Sequence, residues 1–387
     1  MKQTAIVIGK ADGIKLGLIR SLGEYGCSVI SIHLVTSSKV RVKPIDYYSK
    51  YVSHYYFSTA DDLIPLLVEK CSGGSCKPIL FPLDDKSVYL IDEAYNKLRD
   101  LFLIANAGHR EKGVISLMDK FKQKELARKA GLKVAKGWIV PYTNGDFEIP
   151  EDIEYPCFVK GNLSYIVDKS NQQKCNNSED LSNLLKKAKV NCPYPLIVEE
   201  YIPAENEVGF IGVTANNECI IPAKVVKTSV GKGTANGVTM CSKITPLSPD
   251  CDLVKSLKTF LLSMDYTGIT NLDFIEYNGN LYFLEANFRY AAFGFAYQNA
   301  GVNLPALCVS MMTGTSSDNL STVMDRDVSY FNEKIAITGV IEKNMSWKRY
   351  FELSKSSDSR LIASSDDPSP YRHFMLNSLL RYIKSFV

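Results

Sequence analysis

The stretch Asn271–Arg289, NLDFIEYNGNLYFLEANFR, constrains the chain most, because it reads as a single β-hairpin. Two apolar, aromatic-rich runs flank Asn278-Gly279-Asn280, residues that accept turn conformations with φ > 0. A three-residue loop sets Tyr277 opposite Leu281, and counting back along both strands sets Asp273 opposite Glu285 on one face. A two-residue loop would turn Glu285 to the other face, so the expectation depends on register. Facing carboxylates repel, and Asn287 adds a neutral oxygen two positions on. Such an oxygen-only set suits a hard cation such as Mg²⁺, which commonly accompanies nucleotide phosphates. Arg289 follows with a planar fork for phosphate or carboxylate. On spacing alone, an ordinary surface hairpin with acidic residues explains the same letters equally well.

The rest of the chain narrows the choice. Its 387 residues suggest about two to three domains. Apolar residues at 45% and charged residues at 22% describe a soluble globular chain. A net charge of +3 without a long basic run argues against nucleic acid and for a small-molecule partner. No apolar run approaches the roughly 18 residues of a membrane span. MKQTAIVIG enters a strand pattern without a signal-peptide core, so a cytoplasmic protein is expected. The cysteines lack metal-type pairing, and Cys71 and Cys76 read as a turn between elements rather than half a zinc site. His33, His54, His109 and His373 are too dispersed for a histidine relay.

Residues 1–110 alternate strand and helix. Thr4–Ile8, the helix through Leu18, Leu22 and Tyr25, and Ser28–Leu34 make a βαβ unit, which favours a parallel sheet. Gly9, Gly13 and Gly17 do not have the dinucleotide spacing G-x-G-x-x-G. Pro78–Pro82 leads into Asp84 and Asp85, expected as helix caps in preference to cleft residues.

Residues 111–190 open with the helix LMDKFKQKELARKAGL, stopped at Gly131. Lys120 stands at its start, where an ammonium and a helix N-terminus together can hold anionic oxygens. Lys160 ends the apolar strand PCFVKG and requires an anionic partner there. The polar residues 162–180 suit a flap. Residues 191–320 bring LIVEEYIP with Glu207 shortly after, paired strands around Asn216-Asn217, and the loop KTSVGKGTANG, which lacks P-loop spacing. Residues 321–387 end in LNSLLRYIKSF, with Leu376, Leu379, Leu380 and Ile383 on one face. That face is expected to pack against the body, with partner or membrane docking as the alternative, given Arg381 and Lys384.

In this order MDKF, PCFVKG, LIVEEYIPAENEVG, NLDFIEYNG and YFLEANFR resemble the ATP-grasp superfamily of carboxylate–amine ligases over about residues 115–310. The narrower look is of the D-aspartate ligase branch, on NFRYAAFGFAYQNAGVNLPAL and DDPSPYRHF. The resemblance implies an α/β and α+β fold. A Rossmann-like parallel-sheet domain (1–110) precedes a two-lobed ATP-grasp domain with a small lobe and flap (111–190) and a large lobe with the metal site (191–320), and a C-terminal extension packs on the body (321–387).

Carried over by position, the resemblance makes Lys120 and Lys160 the nucleotide-phosphate lysines. Glu200, Tyr201 and Ile202 become the adenine hinge and Glu207 the ribose acid. Asp273, Glu285 and Asn287 become ligands of Mg²⁺, with Mn²⁺ as an alternative. Arg289 steadies the transferred phosphoryl or acyl phosphate, and Lys224 or Lys227 takes a further phosphate contact. Two departures stand out: Gly161-Asn162-Leu163-Ser164-Tyr165 lacks the usual run of glycines, and Asp273 stands where many relatives have Glu. The implied activity joins an acid to an amine through an acyl phosphate at the expense of ATP. A kinase-like phosphotransferase and a non-catalytic ATP-binding regulator are the alternatives. Expected partners are the acid and amine substrates, with a homodimer left open.

Overall fold

The computed structural model describes residues 2–10, 12–37, 43–163, 172–191, 194–228 and 239–384. Residues 164–171 of the expected flap and 229–238 of the Gly- and Lys-containing loop therefore lie outside the described residues.

The N-terminal layer is a parallel five-stranded sheet. Its parts are β1 (Thr4–Gly9), α1 (Asp12–Glu24), β2 (Ser28–Leu34), β3 (Val52–Ser58), β4 (Ile79–Pro82), α2 (Asp85–Glu93) and β5 (Leu103–Ile104). The order β3-β2-β1-β4-β5 is the Rossmann-like arrangement, with ligand crevices expected at strand carboxyl ends. β1 is a continuous apolar run because it is covered on both faces. Gly9 ends it at φ 150, where a Cβ would come within 2.9 Å of Asp84 Oδ2. The strand end therefore meets the start of α2. Asp84 caps that helix, its carboxylate accepting from the Ser87 amide at 2.8 Å, as expected. Asp85 does something else: it lines the central cleft.

The chain continues through α3 (Lys120–Lys129), followed by Gly131 at φ 82, and the short strand β6 (Lys133–Val134). A small antiparallel sheet ordered β9-β8-β10-β7 follows from β7 (Gly137–Val140), β8 (Cys157–Gly161), β9 (Gln173–Cys175) and β10 (Leu196–Glu200). The large sheet contains β11 (Asn206–Ala215), β12 (Ala223–Thr228), β13 (Cys241–Pro246), β14 (Tyr266–Tyr277) and β15 (Asn280–Asn287). It is completed by β16 (Val328–Phe331), beside α4 (Glu333–Ile341) and α5 (Trp347–Ser356), and by β17 (Ser359–Arg360). The main path runs β17-β16-β13-β12-β11-β14-β15-β6. Residues beyond 320 thus extend the sheet with two strands as well as packing on it.

One apolar cluster joins the layers: Leu16, Ile19 and Leu22 of α1 share it with Val225 of β12, Tyr290, Tyr297, Leu307 and Ile362. A buried ion pair adds to it, Arg20 Nε lying 3.1 Å from Asp367 Oδ2. The last helix, α6 (Ser369–Lys384), corrects an expectation. Its face of Leu376, Leu379, Leu380 and Ile383 is 57%, 47%, 50% and 53% exposed. The row Tyr371, Phe374, Met375 and Tyr382 packs inward instead, with Ser378 buried. Rings and a thioether mixed with polar letters hid that row from a count of aliphatic residues.

Candidate active site

The hairpin is β14–β15, and its turn differs from the expected one. Asn278 and Gly279 alone form the loop, at φ 48 and φ 70, and Tyr277 pairs with Asn280 instead of Leu281. A regular ladder from that turn would set Leu284 opposite Asp273. A β-bulge intervenes: Phe274 pairs with Phe283, but Asp273 pairs with Glu285, leaving Leu284 as the extra residue. Phe274 and Phe283 are both buried, with rings 5.4 Å apart and edge to face, so the core fixes the register on one side of the bulge. The two carboxylates therefore share a face, through a bulge that compensates for the shorter loop.

Asn271 and Asn287 form the next cross-strand pair on that face. Asn287 Nδ2 donates to Asp273 Oδ2 at 2.9 Å and to Glu285 Oε1 at 3.4 Å, bridging the two acids, and Asn271 Nδ2 reaches Asp273 Oδ2 at 2.9 Å. The buried Asn271 Oδ1 has no partner among the described residues. An orphaned carbonyl oxygen beside two carboxylates fits a hard cation, whereas the Asn287 oxygen accepts from Arg289 Nη2 at 3.4 Å and would face such a cation only after the amide flips. Among the described residues no group of three or more His, Cys, Asp or Glu side chains could hold a metal, so the two acids offer no third side-chain carboxylate or imidazole to a cation. Asn271 was missed in the sequence, although it shares the strand face of Asp273 by i,i+2 alternation.

Cations surround the acids. Lys120 Nζ lies 3.0 Å from Glu285 Oε2, and Lys227 Nζ 2.5 Å from Asp273 Oδ1 and 3.9 Å from Glu207 Oε2. Burial pushes the Glu285 carboxyl up, but Lys120, Lys160 and Arg289 outweigh it and hold it at about 2. Burial works against the charged form of Lys227 too, and Asp273 overcomes it, raising that ammonium. Arg289 Nε lies 2.9 Å from Asp85 Oδ1, so the N-terminal layer supplies its counter-charge.

Lys120 does not use its helix N-terminus as expected. Its own amide donates to Asn162 O at 3.2 Å, the Phe121 amide to Asn162 Oδ1 at 3.2 Å, and the Lys122 amide to Asp119 Oδ1 at 2.9 Å. The first amides of α3 are therefore occupied, and the ammonium alone faces the cleft. Lys160 has the anionic partner its position demanded: Glu199, 3.0 Å away, reached diagonally because Lys160 pairs with Ile197 across β8 and β10. Glu199 also lies 3.0 Å from Lys124, one turn after Lys120. Lys124 was not picked out in the sequence, and Glu199 stood there only as one of two acids at the end of LIVEE, although Lys160's need for an acid was the available signal.

Burial, then the neighbouring Lys160, lowers the Lys124 ammonium to about 8 despite Glu199. The folded state thus binds fewer protons here than the unfolded chain between pH 8 and about 10.5. Stability should rise with pH across that window. Lys124→Met is expected to flatten that rise, as read from urea midpoints at stepped pH.

The cleft encloses about 550 Å³, its lining including Lys120, Lys160, Glu207, Lys227, Asp273, Glu285, Asn287 and Arg289. Four expected residues stand apart from it. Lys224 pairs with Glu276 at 2.9 Å because, three residues from Lys227 on one strand, it faces the opposite side of the sheet. Glu200, Tyr201 and Ile202 are outside the lining, and two hinge amides are already spent, Glu200 on Lys136 O at 2.9 Å and Tyr201 on Pro156 O at 3.1 Å. Conversely, Tyr330, Asn332 and Leu361, from the segment expected only to pack, form part of the wall.

A Rossmann-like sheet, a small antiparallel sheet and a large, mainly antiparallel one, sharing a lysine- and carboxylate-lined cleft, define a recognisable class of α/β protein. Residues 125–298 match the ATP-grasp domain. The N5-carboxyaminoimidazole synthetase of Staphylococcus aureus superposes with a TM-score of 0.60 at 17% identity, covering 85% of this chain and 82% of that one. The L-amino acid ligase of Bacillus licheniformis gives 0.61 at 12% identity, covering 85% and 79%. The biotin carboxylase domain of the Hydrogenobacter thermophilus 2-oxoglutarate carboxylase, determined with MgADP, ADP and bicarbonate, gives 0.64 at 16% identity, covering 85% and 74%. These likenesses are of fold. The carbamoyl phosphate synthase large chain of Clostridium acetobutylicum is 24% identical over 213 residues. That match takes in 54% of this chain and only 20% of the relative's length.

Proposed function

We propose that this chain is an ATP-dependent ligase that joins a carboxylate to an amine, with release of ADP and phosphate. The single observation that carries the reading is the Asp273–Glu285 pair, set face to face and ringed by Lys120, Lys227 and Arg289. Asp273, Glu285 and the amide oxygens of Asn287 and Asn271 would hold Mg²⁺, which neutralises phosphate charge when bound. Lys120 and Lys160 would exchange part of their pairing with Glu285 and Glu199 for phosphate oxygens.

A carboxylate oxygen of the acid attacks the terminal phosphorus of ATP, and the bond to ADP breaks. The amine then attacks the acyl carbon, phosphate departs with the bonding electrons, and the amine loses its proton to water. Arg289, held by Asp85, is placed to offset charge on the tetrahedral adduct, and Lys227 to contact the moving phosphoryl group. No protein nucleophile is required, so positioning and electrostatics supply the acceleration. Acid and amine are expected to be amino-acid, peptide or sugar-acid molecules, the D-aspartate ligase look coming from residues 287–307 and 366–374. The wall of Tyr330, Asn332 and Leu361 would shape that choice.

The test is a phosphate-release screen over acid and amine pairs, with Glu285→Ala as the blank. The ligase reading expects release only when both substrates are present. Equal ADP formation without any amine would replace it with a phosphotransferase. Nucleotide binding without turnover in every mixture would replace it with a regulatory binder.

A further inference from the structure

The exposed face of α6 does not line the cleft and has no partner among the described residues. Leu376, Leu379, Leu380 and Ile383 follow i, i+3, i+4, i+7 spacing, so they form one continuous aliphatic ridge. Arg372 continues the row one turn earlier, and Arg381 and Lys384 flank it, all three exposed. Ser369–Lys384 contains no Asp or Glu. Beside it, α5 adds Phe351, 53% exposed, with Lys348 and Lys355 roughly one turn away on the same face. Trp347 links the two helices, its ring 6.0 Å from Phe351 and 5.4 Å from Tyr382. Glu352, the acid nearest these groups along α5, is 3.4 Å from Arg349 and so is already paired.

We propose that α6, with the adjoining face of α5, docks the protein on an anionic lipid surface. Aliphatic side chains on one helical face, aromatic rings with polar edges beside them, and lysine and arginine at the margins are what a helix lying in a headgroup layer requires. Charge decides between occupants. A second copy meeting this face would set Arg372, Arg381 and Lys384 against the same cations, with no carboxylate on the helix to offset them. The apolar residues also form a ridge rather than a groove, which a fluid surface accommodates without matched shape. No helix among the described residues is long and apolar enough to cross a membrane, so the contact lies on the bilayer.

The full chain is mixed with vesicles of equimolar phosphatidylcholine and phosphatidylglycerol, or of phosphatidylcholine alone, and sedimented. Binding to the mixed vesicles alone is expected, falling with salt and by about fivefold for each basic residue removed. Leu379→Glu/Leu380→Glu should abolish it, and Arg381→Gln/Lys384→Gln should weaken it. Both variants should keep the wild-type unfolding midpoint, because every altered side chain is exposed. Three results would each overturn the proposal: no sedimentation of the wild type with mixed vesicles, equal binding to neutral vesicles, or wild-type dimers that Leu379→Glu/Leu380→Glu dissociates without any lipid binding.

Discussion

Glu285→Ala is expected to reduce acid- and amine-dependent phosphate release by on the order of 10²–10³-fold, the loss seen when a group stabilising transition-state charge is removed. The side chain has two tasks in the cleft. It faces Asp273 across the bulge, and it neutralises Lys120, whose side chain is almost fully buried. Alanine removes both, leaving one carboxylate for a divalent cation and an ammonium with no counter-charge. Because Glu285 keeps 29% of its side-chain surface, the fold should survive, and an unfolding scan beside the kinetics separates lost activity from lost structure. Glu285→Gln isolates the charge: it retains an oxygen, so weaker nucleotide binding restored by raised Mg²⁺ would assign the residue to the cation. Equal rates for wild type and Glu285→Ala would remove the assignment.

Arg20→Met should destabilise the protein by about 3–5 kcal/mol, the range for removing one partner of a buried ion pair. Arg20 is 0% and Asp367 2% exposed at the side chain, so solvent screens the pair very little. The Asp367 carboxylate also accepts from Ser49 Oγ at 2.8 Å and the Lys50 amide at 3.0 Å, while the Asp367 carbonyl accepts from Arg20 at 2.9 Å. Methionine fills the volume but leaves a buried carboxylate without its cation. Arg20→Met/Asp367→Leu should recover much of the loss, because two apolar groups leave no charge stranded. Urea midpoints of the three proteins test this, and a double variant no better than the single one would refute it.

These residues also show what a sequence can reveal. Alternation along NLDFIEY and LYFLEAN identified the acids, and the apolar run of β1 identified a strand covered on both faces. The register was right for a wrong reason: a two-residue turn and a one-residue bulge each shift side chains by one place, and the shifts cancel. Loop length and bulges depend on how Phe274 and Phe283 pack in the core, which no local pattern records. At Glu200–Ile202 the motif likewise gives the chain's path but not which amides Lys136 and Pro156 have taken. The ridge on α6 was visible as a pattern, yet periodicity says which side chains share a face and not what covers them. Arg20 and Asp367, 347 positions apart, could be joined only by the tertiary fold.

The family match ends at residue 298, whereas β16 and the residue just before α4 carry Tyr330 and Asn332 into the cleft, and Leu361 follows β17. A fragment cut to the matched boundaries would retain Lys160, Lys227 and the paired acids but lose Lys120, Asp85 and part of one wall. On the proposed ligase reading, water entering there would compete with the amine for the activated acid, and ATP would be spent on hydrolysis. In this chain the unit of chemistry is longer than the unit of kinship.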